Sequence, residues 1–321
     1  MDRSGGREAL LPAGGVGCAR PGAAAPEAVE EPRMTVKGLG KGLAKVLVFL
    51  LILSLIGLVA LFFLQDLVVY SGRGGYRGES EEWKARVSAV ASRGYHLFDF
   101  EGPGGRRLKG VWATATSGTA PAVLWLHSFG ENITEVNTQM AALHDAGLHV
   151  FVLQYPGYGH SPGEAREGPI LADAEALYDL LVKRDDVAGG RVLVGGEETG
   201  STVALLLATR REVAGVIAIA PTPDLATEVR STALGIPVAL MMKDRFDAGA
   251  VLASVKCPVL LVSGAEDRVV PPEGVEAMAA KLGSRTVFPS VIPGAGHKNV
   301  IELGGRPLIE QIQRFLSVAG K

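Results

Sequence analysis

One uninterrupted apolar run dominates the hydrophobic pattern near the start of the chain. Residues 46–64 carry no charged side chain. A helix of this length is about 28 Å long, close to the ~30 Å hydrocarbon core of a bilayer. We therefore expect a single transmembrane anchor at 46–64. A cleaved signal peptide is the alternative, although its apolar core would be about 7–15 residues long and a small-residue cleavage site would follow it.

Basic residues flank this run on both sides, with a mild excess before it. Arg33, Lys37, Lys41 and Lys45 precede the run, and Arg73, Arg77 and Lys84 follow it. Positive residues favour the cytoplasmic side. We expect a single-pass protein with a cytoplasmic N-terminus and its C-terminal domain on the opposite side, which would be periplasmic, luminal or extracellular.

Composition divides the rest of the chain into segments of different character. Residues 1–33 are rich in Gly, Ala and Pro and have no apolar period, which is typical of a disordered tail. We expect a basic flank at 34–45 before the anchor and a juxtamembrane linker at 65–90 after it. The remaining residues, 91–321, are predicted to form one domain.

Within that domain, short apolar runs alternate with helical periods. Continuous apolar runs are typical of strands that are covered on both faces of a parallel sheet. Strands are predicted at 122–127, 150–154, 191–195, 215–220 and 258–264. An antiparallel hairpin is predicted at 95–100 and 108–116. The alternation indicates an α/β fold with a mostly parallel sheet and helices on both faces.

Composition and charge exclude several classes of function. The chain has 321 residues, a formal net charge of −2 and two cysteines, so neither a disulfide-rich scaffold nor a nucleic-acid-binding protein is indicated. The histidines show no metal-binding spacing, and no glycine motif has nucleotide-binding spacing. We expect no metal and no cofactor. The expected partners are the lipid bilayer, through 46–64, and a small acyl or ester ligand.

Ligands of parallel sheets bind at the carboxyl ends of the strands, so the loops that follow the strands are the candidate sites. These loops lie at 127–132, 155–163, 196–201, 265–271 and 294–299. Their motifs and order resemble those of the α/β-hydrolase family. The chain is most similar to single-span, membrane-anchored members of the serine aminopeptidase-like or lysophospholipase-like type.

The resemblance implies a catalytic triad and an oxyanion hole. In this family a serine in a Gly-x-Ser-x-Gly turn attacks a carbonyl, a histidine takes its proton, and an acid orients the histidine. By position, Asp267 matches the acid and His297 matches the base. The resemblance also implies that the backbone N–H groups of Phe129 and Thr199 form the oxyanion hole.

Two positions depart from the family pattern. The turn reads Gly196-Glu-Glu-Thr-Gly200, so Glu198 stands where the nucleophilic serine is expected. Ser128 stands where the family often has glycine. Ser201 lies in the first turn of the next helix, where it should not reach the point of attack.

A glutamate at this turn changes the expected chemistry. Related enzymes use aspartate there, but glutamate is one methylene longer, and the reacting atoms must meet within about 3–3.5 Å. Two carboxylates beside His297 would raise the pKa of its imidazole, and a protonated imidazole cannot accept a proton. We predict that ordinary serine-hydrolase activity is lost or altered and that the protein binds an acyl or lipid-like ligand.

Two alternatives stay open from the sequence. The protein could hydrolyse a carboxylic ester, thioester or amide, with Glu198 acting as nucleophile or as the base for water together with His297 and Asp267. A displaced hydroxyl, such as that of Thr199 or Ser201, could also attack. Residues 222–255 lie where the family inserts its lid, and we expect them either to cover an acyl pocket or to pack as a helix on the sheet.

Overall fold

The computed structural model describes residues 36–74, 81–230 and 242–319. The predicted disordered tail at 1–33 lies outside this part of the chain, as does the middle of the predicted lid, at 231–241. Contacts divide the chain into two compact units, 1–56 and 57–321. Each unit is described by itself below.

The first unit contributes the beginning of one long helix, α1, which runs from Val36 to Val69. Within Lys41–Val69, the most apolar 18-residue stretch has a mean hydropathy of 3.2 and is not buried. By length and composition this helix could cross a membrane, and it is the one such helix among the described residues. A signal sequence would meet the same test.

The second unit is built on an eight-stranded sheet, counted over the described residues. Its strands are β1 His96–Gly102, β2 Arg106–Ala113, β3 Ala120–Leu126, β4 His149–Leu153, β5 Val187–Glu197, β6 Val216–Ile219, β7 Val259–Gly264 and β8 Thr286–Ile292. Their spatial order is β1-β2-β4-β3-β5-β6-β7-β8. The predicted hairpin is confirmed, because β1 pairs antiparallel with β2. Strand β2 also pairs antiparallel with β4, and from β4 to β8 the sheet is parallel.

Helices connect and cover these strands. They are α2 Glu81–Ala91, α3 Asn137–Asp145, α4 Glu167–Leu181, α5 Thr199–Ala208, α6 Leu225–Arg230, α7 Pro272–Leu282 and α8 Val300–Leu316. Helix α8 is kinked at Gly305, whose φ of 45° is not helical and which lies shortly before Pro307. The arrangement confirms the predicted α/β class.

The core lies on both faces of the sheet, as the continuous apolar strands predicted. In β3, Leu124 packs into the apolar cluster on one face and its neighbour Trp125 packs into the cluster on the other face. Both side chains are fully buried. Because side chains alternate along a strand, a run that is apolar at every position needs a covering layer on each side. These layers fix the strand ends from which the candidate site is built.

Candidate functional site

A sharp turn between β5 and α5 holds Glu198. Its backbone has φ 52° and ψ −124°, a left-handed conformation that non-glycine residues seldom adopt. The turn is tight because Gly196 and Gly200 lie against each other, and Gly200 lies against the carbonyl of Leu126. A Cβ at either glycine would overlap backbone atoms. The structure therefore places a strained glutamate in the turn that the resemblance assigns to the nucleophile.

The two positions that depart from the family pattern contact each other. The Ser128 hydroxyl donates a hydrogen bond to Glu198 Oε2 at 2.6 Å, and both residues are buried. Burial raises the pKa of Glu198, and the hydrogen bond from Ser128 opposes this effect. The serine thus supplies a polar partner that a buried carboxylate requires. Both departures from the family pattern are visible in the sequence, but the contact between the two side chains is not.

One of the two N–H groups expected to form the oxyanion hole is bonded to a side chain of the protein itself. The Phe129 N–H donates to Thr199 Oγ1 at 2.8 Å. Thr199 and Phe129 are both buried. A backbone N–H stabilises an oxyanion only if it points at the position of that oxygen. In this structure the Phe129 N–H is bonded to the Thr199 hydroxyl instead of being free to bind a ligand oxygen.

The predicted acid and base are brought together. His297 Nδ1 lies 2.8 Å from Asp267 Oδ2, and the Asp267 side chain is fully buried. Asp267 Oδ1 accepts hydrogen bonds from the N–H groups of Val269 and Val270. Burial would raise the pKa of Asp267, but these bonds and the His297 partner together lower it. Asp267 is therefore a carboxylate that orients the imidazole.

The second imidazole nitrogen contacts a residue that sequence analysis did not select. His297 Nε2 lies 3.2 Å from Glu228 Oε2, on helix α6. Burial alone would lower the pKa of His297, but Asp267, Glu228 and the charge of Glu198 raise it to about 10. We expected His297 between Asp267 and Glu198, whereas the carboxylate in contact with Nε2 is that of Glu228. Helix α6 follows β6 at the same edge of the sheet as the other candidate loops, but the sequence does not show that Glu228 points at His297.

A raised pKa makes a prediction about stability. The folded state binds the His297 proton more tightly than the unfolded chain, whose pKa is about 6.5. The stabilisation should be complete below about pH 6.5 and should be lost as the pH rises through about 10. We expect the difference in unfolding free energy between the wild type and His297→Gln to shrink over this window, as measured by denaturant titration in detergent. A difference that stays constant over the same window would contradict the raised pKa.

Three donor groups of the site could also hold a cation. One ligand atom each of Glu198, Glu228 and His297 lies within 4.8 Å of the others. The sequence predicted no metal site. Because ligands must be deprotonated, a metal at this position would have to displace the proton that the pKa of about 10 places on His297.

The displaced hydroxyls considered from the sequence have other partners. The Ser201 hydroxyl donates to the carbonyl oxygen of Glu198 at 2.6 Å. The Thr199 hydroxyl accepts from the Phe129 N–H, as described above. Neither hydroxyl is hydrogen-bonded to the imidazole of His297 in the described contacts, so neither is placed as an activated nucleophile.

A second group of carboxyls lies behind the turn. Burial raises the pKa of Glu197 to about 8 and that of Glu131 to about 7. Gln139 bridges them, donating to Glu197 Oε2 at 2.9 Å and to Glu131 Oε1 at 3.4 Å. Sequence analysis did not single out Glu197, Glu131 or Gln139 as a group, because nothing in their spacing shows that helix α3 lies against the turn.

A small cavity of about 140 Å³ opens beside Glu198. Its apolar lining includes Val68, Val69 and Leu225. Its polar lining includes Glu228 and Lys298. An apolar cavity of about 150 Å³ accommodates a group the size of benzene, so this one can enclose only part of a larger ligand.

Comparisons with known proteins find similar sequences and a similar fold. The family model described as serine aminopeptidase, S33, matches residues 118–246. An uncharacterized protein of Mycobacterium tuberculosis is 33% identical over 214 residues, covering 66% of this chain and 76% of its own. Alpha/beta hydrolase domain-containing protein 17C of Xenopus tropicalis is 32% identical over 169 residues, covering 53% and 52%. The crystal structure of an alpha-beta hydrolase from Vibrio vulnificus matches with a TM-score of 0.64 at 19% identity, over 77% of this chain and 91% of that one.

Proposed function

Because the chain belongs to the α/β-hydrolase family, we propose that it is a membrane-anchored member that binds an acyl ligand without serine-type hydrolysis. The observation that carries this proposal is the side chain at the turn. The Glu198 carboxylate is hydrogen-bonded to Ser128 at 2.6 Å, at the position from which a serine hydroxyl would attack. Because residue 198 has no hydroxyl, no acyl-serine intermediate can form there.

The surrounding groups support the loss of the usual chemistry. The Phe129 N–H is bonded to Thr199 Oγ1 at 2.8 Å, so the oxyanion hole lacks a free donor at that position. The pKa of His297 is raised to about 10. At neutral pH the imidazole is therefore protonated and cannot take a proton from a serine or a water.

The same protonation counts against the alternative in which Glu198 acts as nucleophile or as base. In related enzymes that use a carboxylate nucleophile, a histidine activates the water that breaks the ester. Here His297 Nε2 contacts Glu228 at 3.2 Å. An imidazolium between two carboxylates is stabilised as an ion pair, which is a structural role.

We further propose that α1 anchors the protein in a bilayer, with the N-terminus cytoplasmic and the α/β domain on the opposite side. The apolar stretch within Lys41–Val69 supports the anchor. The excess of basic residues before the span supports the orientation. Glycosylation sites or cysteines introduced into the α/β domain would test which side of the membrane this domain occupies. Their glycosylation or labelling would be measured in intact cells.

The proposed function predicts binding without turnover. Wild-type protein in nanodiscs should not react with a fluorophosphonate probe and should not release p-nitrophenol from short-chain esters above the buffer rate. It should, however, bind a fluorescent fatty-acyl probe that an unlabelled acyl chain displaces. An active serine hydrolase in the same nanodiscs serves as the positive control. Covalent labelling of a serine or threonine of the wild type would overturn the proposal.

A further inference from the structure

The carboxyl-terminal end of α1 lies against the candidate site. Val68 and Val69, in its last turn, and Ser71, in the turn that follows, all line the cavity beside Glu198. The sequence predicts a linker there, and a linker is not expected to line a binding site. The contacts of residues 65–72 show what holds this segment in place.

A network of charged side chains, which we name the latch, binds the helix end to the domain. Arg166 donates two hydrogen bonds to Asp66, both at 2.6 Å, and a third to Asp244 at 3.3 Å. Lys243 Nζ lies 3.4 Å from Asp66. The Tyr70 hydroxyl donates to Asp244 at 2.7 Å. A bidentate arginine–carboxylate pair is among the strongest and most directional side-chain contacts.

Beyond the latch, residues 70–72 are held by the packing of the Tyr70 ring and by backbone contacts of Gly72. Tyr70 is 1% exposed and its ring lies 5.1 Å from that of Phe129. The Gly72 N–H donates to the Phe129 carbonyl at 2.9 Å. A Cβ at Gly72 would lie 2.5 Å from the Glu131 carbonyl oxygen, so only glycine permits this approach. The helix end is thus attached to the loop at 127–132, which carries the Phe129 N–H.

The cavity is too small for a whole amphiphile, and an apolar surface continues outside it. Val68 lines the cavity and is also half-exposed. Leu64 lies four residues earlier, on the same face of the helix, and is 53% exposed. A ligand whose end fills about 140 Å³ could therefore extend along the Leu64–Val68 face.

We propose that the end of α1, held by the latch, forms one wall of the ligand site, and that a single-chain amphiphile with an uncharged head group binds there with its chain along Leu64 and Val68. This rests on the proposed function, because it names the ligand class of the same site. The cavity lining includes acidic and basic side chains, namely Glu198, Glu228 and Lys298. Such a lining favours an uncharged polar group over a full charge of either sign.

Photo-crosslinking in nanodiscs tests the wall directly. The probe is a monoalkyl glycerol ether with a diazirine near the head group, so it cannot be hydrolysed. We expect crosslinks on Val68 or Val69 and on residues of α6. Val68→Trp should reduce this crosslinking about tenfold, which corresponds to about 1.4 kcal/mol of lost binding free energy. Leu67→Trp, at the adjacent exposed position outside the cavity lining, is the matched control and should not reduce it.

The latch is tested by two matched charge removals. Asp66→Asn should weaken crosslinking at Val68, because the amide can accept only one of the two bonds from Arg166 and carries no negative charge. Asp179→Asn breaks a similar bidentate pair with Arg211, at 2.8 and 2.9 Å, and should leave crosslinking unchanged. Melting temperatures of all four variants separate loss of the wall from unfolding.

The outcomes distinguish this inference from the function on which it rests. Crosslinks spread along residues 46–64, with equal yields for Val68→Trp and Leu67→Trp, would overturn the proposal that the end of α1 forms a wall of the site. The acyl-probe assay would still show whether the domain binds a ligand elsewhere. Turnover of the ester analogue by wild type would overturn the non-hydrolytic proposal, even if the crosslinks fall on Val68.

Discussion

The double variant Glu198→Ser, Ser128→Gly should gain ester hydrolysis that the wild type lacks, on the order of a hundredfold above the buffer rate at alkaline pH near 10, where part of the His297 population is deprotonated and can act as a base. The variant returns a hydroxyl to the strained turn and removes the serine that bonds the carboxylate at 2.6 Å. Asp267 and His297 are already 2.8 Å apart in the orientation that a triad requires. Fluorophosphonate labelling of the serine introduced at position 198, located by mass spectrometry, measures the gain.

A third substitution should increase this gain. Glu228→Gln removes the carboxylate at His297 Nε2, which lowers the pKa of the imidazole and frees it to act as a base. The pH of half-maximal activity should therefore move down relative to the double variant. Glu310→Gln, at an exposed ion pair on α8, is the control and should leave the pH profile where it is. A triple variant without labelling or turnover would mean that more than these three side chains has been lost.

Gly200→Ala should cost about 3 kcal/mol or more of unfolding free energy. A Cβ at this position would overlap the Leu126 carbonyl at the end of β3, and a backbone atom cannot move aside as a flexible side chain can. The expected readout is a lower melting temperature with loss of soluble folded protein. Gly168→Ala in α4 is the matched control, because a Cβ there meets no atom within 4 Å. Equal melting temperatures for the two variants would show that the turn can relax.

Much of the fold could be predicted from the sequence, because its signals are local. Strand β3 is apolar at nearly every position, and that pattern alone indicates burial on both faces, as found for Leu124 and Trp125. Strand β8 was not predicted. Its sequence contains Pro289, and proline in a strand is tolerated at a sheet edge, which is where β8 lies.

The candidate site was only partly predictable, because its decisive contacts join distant segments. The loops after β3, β5 and β7 follow strands and could be assigned to one edge of the sheet in advance. The partner of His297 could not, because Glu228 reaches it from a short helix whose direction is set by tertiary packing. The pairing of Asp66 with Arg166 joins residues 100 positions apart, and neither residue has a local pattern that reveals it.

If α1 anchors the protein in a bilayer, as proposed, one segment around Tyr70 serves both membrane attachment and ligand binding. The Tyr70 side chain is buried in the domain. The Gly72 N–H donates a hydrogen bond to the backbone carbonyl of Phe129. Cleavage by a protease between Asp66 and Gly72 would separate Asp66 from the released domain. Arg166 would then lose the carboxylate that it binds. If the end of α1 forms a wall of the ligand site, as proposed, the released domain should bind the acyl probe more weakly than the uncleaved protein.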